Sequence, residues 1–185
     1  MTFFDRSKAW DAPGNYPPRF RLFNSTSGEQ IGGECLVGKL DAILCPANPV
    51  DVDPLLPGPT HYLGIAGLGE GAADLPLLDP KAGMFGYNRK VSLSNLKHGA
   101  ATTMAAAESS DSGHWTAGGQ STIRGIILEK VPYTGMAGQF ASNHGGGTNF
   151  LFADGSVRAF TAALSPEQVE SLATLGGENA VEIEN

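Results

Sequence analysis

The pattern of apolar and polar residues predicts a chain built mainly of short β-strands. Apolar runs of strand length occupy residues 40–45, 61–69 and 125–131, and glycine, proline or acidic residues bound each of them. The run "TTMAAAES" at residues 102–109 fits either a helix or a buried strand of small residues. The glycines within residues 61–69 further predict a place where two backbones approach closely. No strand–helix–strand alternation is visible, so the pattern predicts an α+β fold, predominantly β, with an antiparallel sheet.

Residues 143–160, "NHGGGTNFLFADGSVRAF", predict a β-hairpin. Asp-Gly between two apolar runs is typical of a two-residue type I′ turn, because that turn needs positive φ at both central positions. With Asp154 and Gly155 at the tip, Phe152 should lie opposite Val157 and Phe150 opposite Ala159 on one buried face. Under this interpretation the segment is a structural motif that builds the hairpin. Its members are His144, Gly145, Gly146, Asn149, Asp154 and Gly155.

Two short helical segments complete the predicted elements. Ser92 or Ser94 can cap one turn around residues 93–97, with Gly99 as the stop. Ser165 is a predicted N-cap, followed by proline at the first helical position and glutamine at the third. Residues 1–185 are thus expected to form a single domain: an extended first segment and loop (1–34), a β-rich core (35–164), and a short helix with an acidic tail (165–185).

Composition narrows the classes of partner. The net charge is −7, which argues against nucleic-acid binding because phosphate contacts need lysine and arginine. No apolar run approaches the ~20 residues that span a bilayer, and no signal peptide is visible. The 25 glycines and 12 prolines fit a domain rich in turns.

His144 and Asp154 raise the question of catalysis, since a histidine near an aspartate suggests a base and its orienting carboxylate. A strand over residues 149–154 would displace the chain by about 16 Å, so the two side chains are not expected to meet. We therefore predict no catalytic residues: Asp154 is a turn residue, and His144 makes a structural hydrogen bond that holds the glycine loop to the sheet. A hydrolase that uses His144 is the least favoured alternative.

Other polar residues suggest binding. Asp111, Asp51 and Asp53 could supply oxygen ligands to calcium from loops, although no EF-hand spacing is present; no other cofactor or metal is predicted. Asp111, His114 and Trp115 form a candidate surface for calcium-assisted or carbohydrate binding, since exposed aromatic rings stack on sugars. Cys35 and Cys45 are candidates for one disulfide if the chain is exported, or for two free buried thiols.

Several motifs together resemble those of bacterial prepilin-like proteins that carry the C-terminal H-x9-D-G domain, domain of unknown function number 1559. His144, nine intervening residues, and Asp154-Gly155 match the signature of that family. Further similar segments are "DRSKAWDAPGN" (5–15), "LCPANP" (44–49), "THYLGIAGLG" (60–69), "HWTAGG" (114–119) and "LATLGGENAV" (172–181). "HGAATTMAAAE" (98–108) stands where the family has Asp-Gly-x-Ser-Asn-Thr before its glutamate and departs from that pattern, also at Ala101. In this comparison "TTMAAAE" corresponds to a strand, which decides the ambiguity noted above, while His98 replaces an aspartate of the family.

The resemblance implies a non-enzymatic structural or assembly protein. It would be the globular head of a pilin-like or pseudopilin-like subunit of the cell envelope or of a secretion system, exported and associating with itself or with other such subunits. Members of the family begin with a long apolar helix that anchors them in the membrane. Because Asp5 aligns just past that helix, we expect this sequence to be the head of a longer protein with a prepilin leader upstream.

Overall fold

The computed structural model describes residues 19–23, 30–36, 39–52, 58–111, 113–115, 117–145, 147–160 and 164–176, with the backbone alone for the first two ranges. The described residues form seven strands: β1 (Arg19–Phe23), β2 (Gln30–Leu36), β3 (Tyr62–Leu68), β4 (Met104–Glu108), β5 (Ile123–Ile126), β6 (Thr148–Phe152) and β7 (Val157–Phe160). One α-helix, α1 (Pro166–Leu172), follows them. The fold of the described residues is α+β and rich in β-structure, as predicted.

Five strands form one sheet in the order β5-β3-β4-β6-β7, and β1 pairs with β2 in a separate antiparallel ribbon. The pairs β3–β4, β4–β6 and β6–β7 are antiparallel, but β5 runs parallel to β3. The predicted purely antiparallel sheet is therefore wrong, and the sheet is mixed. The chain passes through β4 and a long connection before β5 returns to the free edge of β3, which permits the parallel pairing.

Three local predictions differ from the structure. The apolar run at residues 40–45 contains a 3₁₀ turn, Asp41–Ile43, instead of a strand. The loop expected at residues 24–34 gives way to β2 from Gln30 onward. The strand expected at residues 125–131 begins earlier and ends at Ile126. In contrast, β3 and β4 lie where they are expected, and Ser92 N donates to Asn95 Oδ1 at the predicted short helical turn, Leu93–Asn95.

The β6–β7 connection has four residues, 153–156, and the observed register differs from the predicted one by one position. Gly155 N donates to Phe152 O, and Phe152 N donates to Ser156 O. Gly155 has φ +86°, whereas no described non-glycine residue has positive φ, so the turn is a type I turn followed by a left-handed glycine and the type I′ prediction is wrong. Leu151 lies opposite Val157 and Phe150 opposite Arg158.

The shifted register also changes which residues are buried. Val157, predicted to be in the core, is 64% exposed. Phe160 instead joins the buried face, with its ring 5.6 Å from that of Phe150 and 6.3 Å from that of Phe152. Arg158 lies 4.4 Å from the centre of the Phe152 ring and covers it.

Helix α1 closes one face of the sheet. Gln168 N donates to Ser165 Oγ and Ser165 N donates to Gln168 Oε1, which confirms the predicted capping box. Val169 and Leu172 are buried, and the main core comprises Leu63, Ile65, Met104, Ala107, Ile126, Tyr133, Phe140, Phe150, Phe152, Val169, Leu172 and Ala173. A smaller cluster of Ala66, Ala72, Ala73 and Ile123 covers the other face of β3. Both faces of β3 are therefore buried, and its sequence is continuously apolar.

Loops on that second face are joined by one arginine. The guanidinium of half-buried Arg89 donates hydrogen bonds to five backbone carbonyls, those of Ala66, Ala72, Leu75, Gly83 and Phe85. The predicted close backbone approach is also present here, since Gly67 has φ +112° and a Cβ at this position would lie 2.0 Å from Lys81 O. Burial lowers the pKa of Arg89 from its usual value.

Within the described residues, the structure contains no helix that is both long enough and apolar enough to cross a membrane. The first part of the extended segment, residues 1–18, and the end of the acidic tail, residues 177–185, lie outside the described residues.

Candidate functional site

Three side chains from distant segments meet at one end of the sheet: Cys45, Glu108 and His144. His144 Nε2 lies 3.0 Å from Cys45 Sγ and 3.2 Å from Glu108 Oε1. The sulfur, the imidazole nitrogen and the carboxylate oxygen all lie within 4.8 Å of one another. We call these three residues the Cys45–Glu108–His144 cluster.

Glu108 is the last residue of β4, and its carboxylate is almost completely buried, with 2% exposure. Asn149 N, at the start of β6, donates to Glu108 Oε2 over 2.9 Å. The other oxygen, Oε1, has no hydrogen-bond partner among the described residues. It lies 3.2 Å from His144 Nε2, which is within ion-pair distance. A buried carboxylate oxygen without a hydrogen bond is costly, so Oε1 requires a compensating positive charge.

Cys45 is held at its backbone by a buried histidine. Cys45 N donates to His61 Nδ1 over 2.9 Å, and His61 N donates to Ile43 O over 2.9 Å. Burial lowers the pKa of His61, which favours the neutral ring that can accept this hydrogen bond. The thiol is thus aimed by contacts that leave its sulfur free to face His144.

His144 is positioned by the loop that precedes β6. His144 N donates to Ser142 Oγ over 3.3 Å, and that hydroxyl donates to Gly147 O. Asn143 Nδ2 donates to Asn48 Oδ1 over 2.7 Å, which ties this loop to the one that carries Cys45. His144 therefore joins three segments: the loop around Cys45, the end of β4, and the start of β6.

A small cleft opens beside the cluster. It offers about 10 Å³ to the centre of a water-sized sphere, which is the room that one water molecule or one ion needs. Its lining includes Cys45, Asn48, His61, Glu108, Ser109 and Ser142. The cleft therefore has room for a single water molecule or ion.

The arrangement also differs from a nucleophilic relay. In a thiol–histidine–carboxylate triad, the nucleophile and the carboxylate contact opposite nitrogens of the imidazole, so that the carboxylate orients the ring while the other nitrogen takes the proton. Here Cys45 and Glu108 both approach Nε2. Three donor atoms converging on one point are instead the arrangement of a metal site or of a charge cluster.

Comparison with known proteins adds one match. Residues 120–167 match the sequence model of a family described as a protein of unknown function (DUF1559). The match covers about a quarter of the chain and supports the family that the motifs resemble. Searches of curated proteins and of solved structures returned no match.

The matched region contains His144, β6, β7 and the turn between the strands, but neither Cys45 nor Glu108. Those two residues lie in the "LCPANP" and "HGAATTMAAAE" segments that the sequence comparison also singled out. Three segments that carry the resemblance therefore meet in space at the cluster.

The structure places the residues of the predicted structural motif at two ends of β6. His144 belongs to the cluster, whereas Asp154 Oδ1 accepts hydrogen bonds from Ser156 N and Ser156 Oγ at the far turn. Those contacts lower the pKa of Asp154. Gly145 is exposed, and Gly146 lies outside the described residues. His144 and Asp154 therefore contact different residues, at opposite ends of β6.

The predicted binding residues differ in their exposure. Trp115 is 9% exposed, so its ring does not offer the open face that sugar stacking requires; His114 and Asp111 are exposed. Asp51 is exposed, and Asp53 lies outside the described residues. Cys45 is free and buried, and its sulfur lies 3.0 Å from His144 Nε2. The side chain of Cys35 lies outside the described residues, so the choice between a Cys35–Cys45 disulfide and two free thiols stays a prediction.

Sequence reasoning did not find the cluster. It identified no histidine partner for either cysteine, because the contact joins residues 99 positions apart. It gave Glu108 no role, since a single glutamate at the end of an apolar run resembles an ordinary strand boundary. One observation could have pointed to the cluster. Cys45, Glu108 and His144 each lie in a segment that the sequence analysis aligns with the family.

Proposed function

We propose that this chain is the globular head of a pilin-like or pseudopilin-like subunit of the bacterial cell envelope or of a secretion system. It is exported and works through protein contacts, with itself or with related subunits, and not through catalysis. The observation that carries the proposal is the family match at residues 120–167, which spans the H-x9-D-G segment.

The shape of the cluster supports a role without catalysis. The adjoining cleft has room for one water molecule or ion, and Cys45 and Glu108 approach the same nitrogen of His144. Each feature is unfavourable for binding and activating an organic substrate.

The free edge of the sheet supports a role in assembly. β7 is the last strand in the sheet order and has no partner on its outer side among the described residues. On its exposed face Val157 is 64% exposed and lies opposite Leu151, which is 39% exposed. An unpaired strand with apolar side chains is a natural place for another chain to add.

The experiment is a cross-linking test of the protein expressed from its native gene in the organism that encodes it. A photoreactive amino acid replaces Val157, and a matched variant carries it at Leu78, which is 90% exposed but outside the sheet. We expect envelope fractions to contain the protein, with cross-links to itself or to other subunits from position 157 and few from position 78.

A cytosolic protein, or equal cross-linking from the two positions, contradicts the proposal. A second contradiction is hydrolytic turnover by the purified chain that His144→Ala abolishes. Val157→Lys is the complementary variant: it should abolish cross-linking while leaving the melting temperature within about 2 °C, since surface substitutions have small effects on stability.

A further inference from the structure

We propose that Cys45 Sγ, Glu108 Oε1 and His144 Nε2 bind one divalent transition-metal ion, with Zn²⁺ as the preferred ion. The three donor atoms lie within 4.8 Å of one another and come from three segments. This inference goes beyond the proposed head function and does not depend on it.

The donor atoms select the metal. Thiolate and imidazole are ligands of zinc and of other borderline or soft ions, whereas calcium and magnesium take oxygen ligands. One thiolate and one carboxylate together carry two negative charges, which a divalent ion neutralises. Sites with three protein ligands commonly complete a tetrahedron with one water molecule.

The distances fit a tetrahedral ion after a small adjustment. Zinc bonds are about 2.3 Å to sulfur and about 2.0–2.2 Å to nitrogen or oxygen, which places ligand atoms roughly 3.3–3.6 Å apart. The observed separations from His144 Nε2 are 3.0 Å to sulfur and 3.2 Å to oxygen. The two contacts of Nε2 therefore need to lengthen by about 0.1–0.6 Å, while the sulfur and the carboxylate oxygen lie within 4.8 Å of each other. His144 lies on a loop and is half-buried, which allows such an adjustment.

The buried oxygen of Glu108 is an independent indication of a cation. This carboxylate is 98% shielded, and Oε1, the oxygen without a hydrogen-bond partner among the described residues, points to the cluster. The other oxygen is fixed by Asn149 N, which sets the orientation of the group. A metal ion would satisfy the unpaired oxygen. A hydrogen bond to the other oxygen of the carboxylate, like the one from Asn149 N, is typical of residues that bind a metal.

The cleft provides the fourth position. Its volume suits a single water molecule, and Asn48 and Ser142 line it with polar side chains. His61 is not a ligand through Nδ1, because that atom accepts a hydrogen bond from Cys45 N. Its role is to fix the backbone of Cys45 and thereby the position of the thiol. Metal binding would thus fasten two loops to the sheet.

The test begins with the purified chain, reduced and freed of metal by chelation. Titration with Co²⁺ should give the visible absorption of a tetrahedral site and a thiolate-to-cobalt charge-transfer band that saturate at one equivalent. Zn²⁺ should bleach both bands and raise the melting temperature, because a ligand that binds only the folded state stabilises it. Ca²⁺ at the same concentration should produce no shift.

Conservative variants assign the site. We expect about 100-fold or more weaker Zn²⁺ binding in each of the variants Cys45→Ser, Glu108→Gln and His144→Ala. The reason is that removal of a group that only hydrogen-bonds to a metal ligand already lowers metal affinity about 10–100-fold. Cys45→Ser should also remove the charge-transfer band. Glu108→Gln retains an oxygen that can accept from Asn149 N, so it is expected to fold. The matched controls, His114→Ala and Asp111→Asn, change exposed residues outside the cluster and should bind as the parent does.

Two results would overturn the proposal. One is the lack of stoichiometric Co²⁺ or Zn²⁺ binding by the folded parent chain, or binding that Cys45→Ser and Glu108→Gln leave unchanged. The other is a Cys35–Cys45 disulfide in the mature exported protein, detected by mass spectrometry without reduction, because a bridged sulfur cannot ligate the ion as a thiolate.

Discussion

The imidazole of His144 and the thiol of Cys45 are 3.0 Å apart although 99 positions separate them in the chain. This contact joins the loop before β6 to a loop that precedes the whole five-stranded sheet. Since Glu108 Oε1 lies 3.2 Å from the same nitrogen, His144 is one of the residues through which the H-x9-D-G segment contacts the rest of the domain. Its role in this account is to fasten segments together.

Gly155→Val tests the turn at the opposite end of β6. Gly155 has φ +86°, a conformation that β-branched residues rarely adopt, while no atom lies within 4 Å of a Cβ built there. The cost is therefore conformational strain alone, and we expect a loss of about 1–3 kcal/mol in the free energy of unfolding. Chemical denaturation of the two proteins measures it.

Asp154→Asn is the matched variant for that turn. An asparagine Oδ1 can still accept from Ser156 N, so the free energy of unfolding should change by less than about 0.5 kcal/mol. A loss as large as that of Gly155→Val would contradict the structural role of Asp154.

The hairpin shows how far local sequence predicts structure. Asp-Gly between apolar runs predicted two antiparallel strands, and β6 and β7 are antiparallel. The sequence predicts the length of the loop less clearly than the two strands. Gly155 suits both a type I′ turn and a type I turn that is followed by a residue with positive φ. One residue in the loop then decides which side of β7 is buried, and Val157 and Phe160 exchange environments.

Ser156→Ala should raise the pKa of Asp154. The Ser156 hydroxyl and N–H both donate to Asp154 Oδ1 and lower that pKa, with the hydroxyl as the larger cause. A carboxyl whose folded pKa lies below its unfolded value adds stability above the unfolded pKa, and this is lost as the pH falls through the folded pKa. The variant should therefore lose less stability on acidification near pH 4 and below. Carboxyl-carbon NMR titration of both proteins measures the pKa, and an unchanged value contradicts the assigned cause.

Arg89→Lys should destabilise the domain strongly. The guanidinium donates to five carbonyls arranged around it, and a lysine ammonium has three donors without the planar geometry. We expect a loss of about 2–4 kcal/mol in the free energy of unfolding. Arg158→Lys is the control: its cation can remain over the Phe152 ring, so the loss should stay below about 1 kcal/mol. Equal effects of the two substitutions would contradict the role of Arg89.

Arg89 and Glu108 share the reason that sequence did not reveal them. Their partners are backbone groups and side chains brought together by chain reversals, and no periodic pattern marks such residues. Ser165, in contrast, was predicted correctly, because its cap contacts lie within three residues along the chain. The sequence thus predicted the helix cap at Ser165 and the strands β3 and β4. It did not predict contacts between residues that only the folded sheet brings together.

The most direct test of the account is a double-mutant cycle between Cys45 and His144 in metal-free, reduced protein. The free energy of unfolding is measured for the parent, Cys45→Ala, His144→Ala and the double variant. Because the two side chains are in contact, we predict a coupling energy of about 0.5–3 kcal/mol, whereas Cys45→Ala combined with Asp154→Asn should be additive. Additivity of Cys45→Ala and His144→Ala within about 0.3 kcal/mol would show that His144 does not fasten the Cys45 loop to the sheet, and would contradict the account.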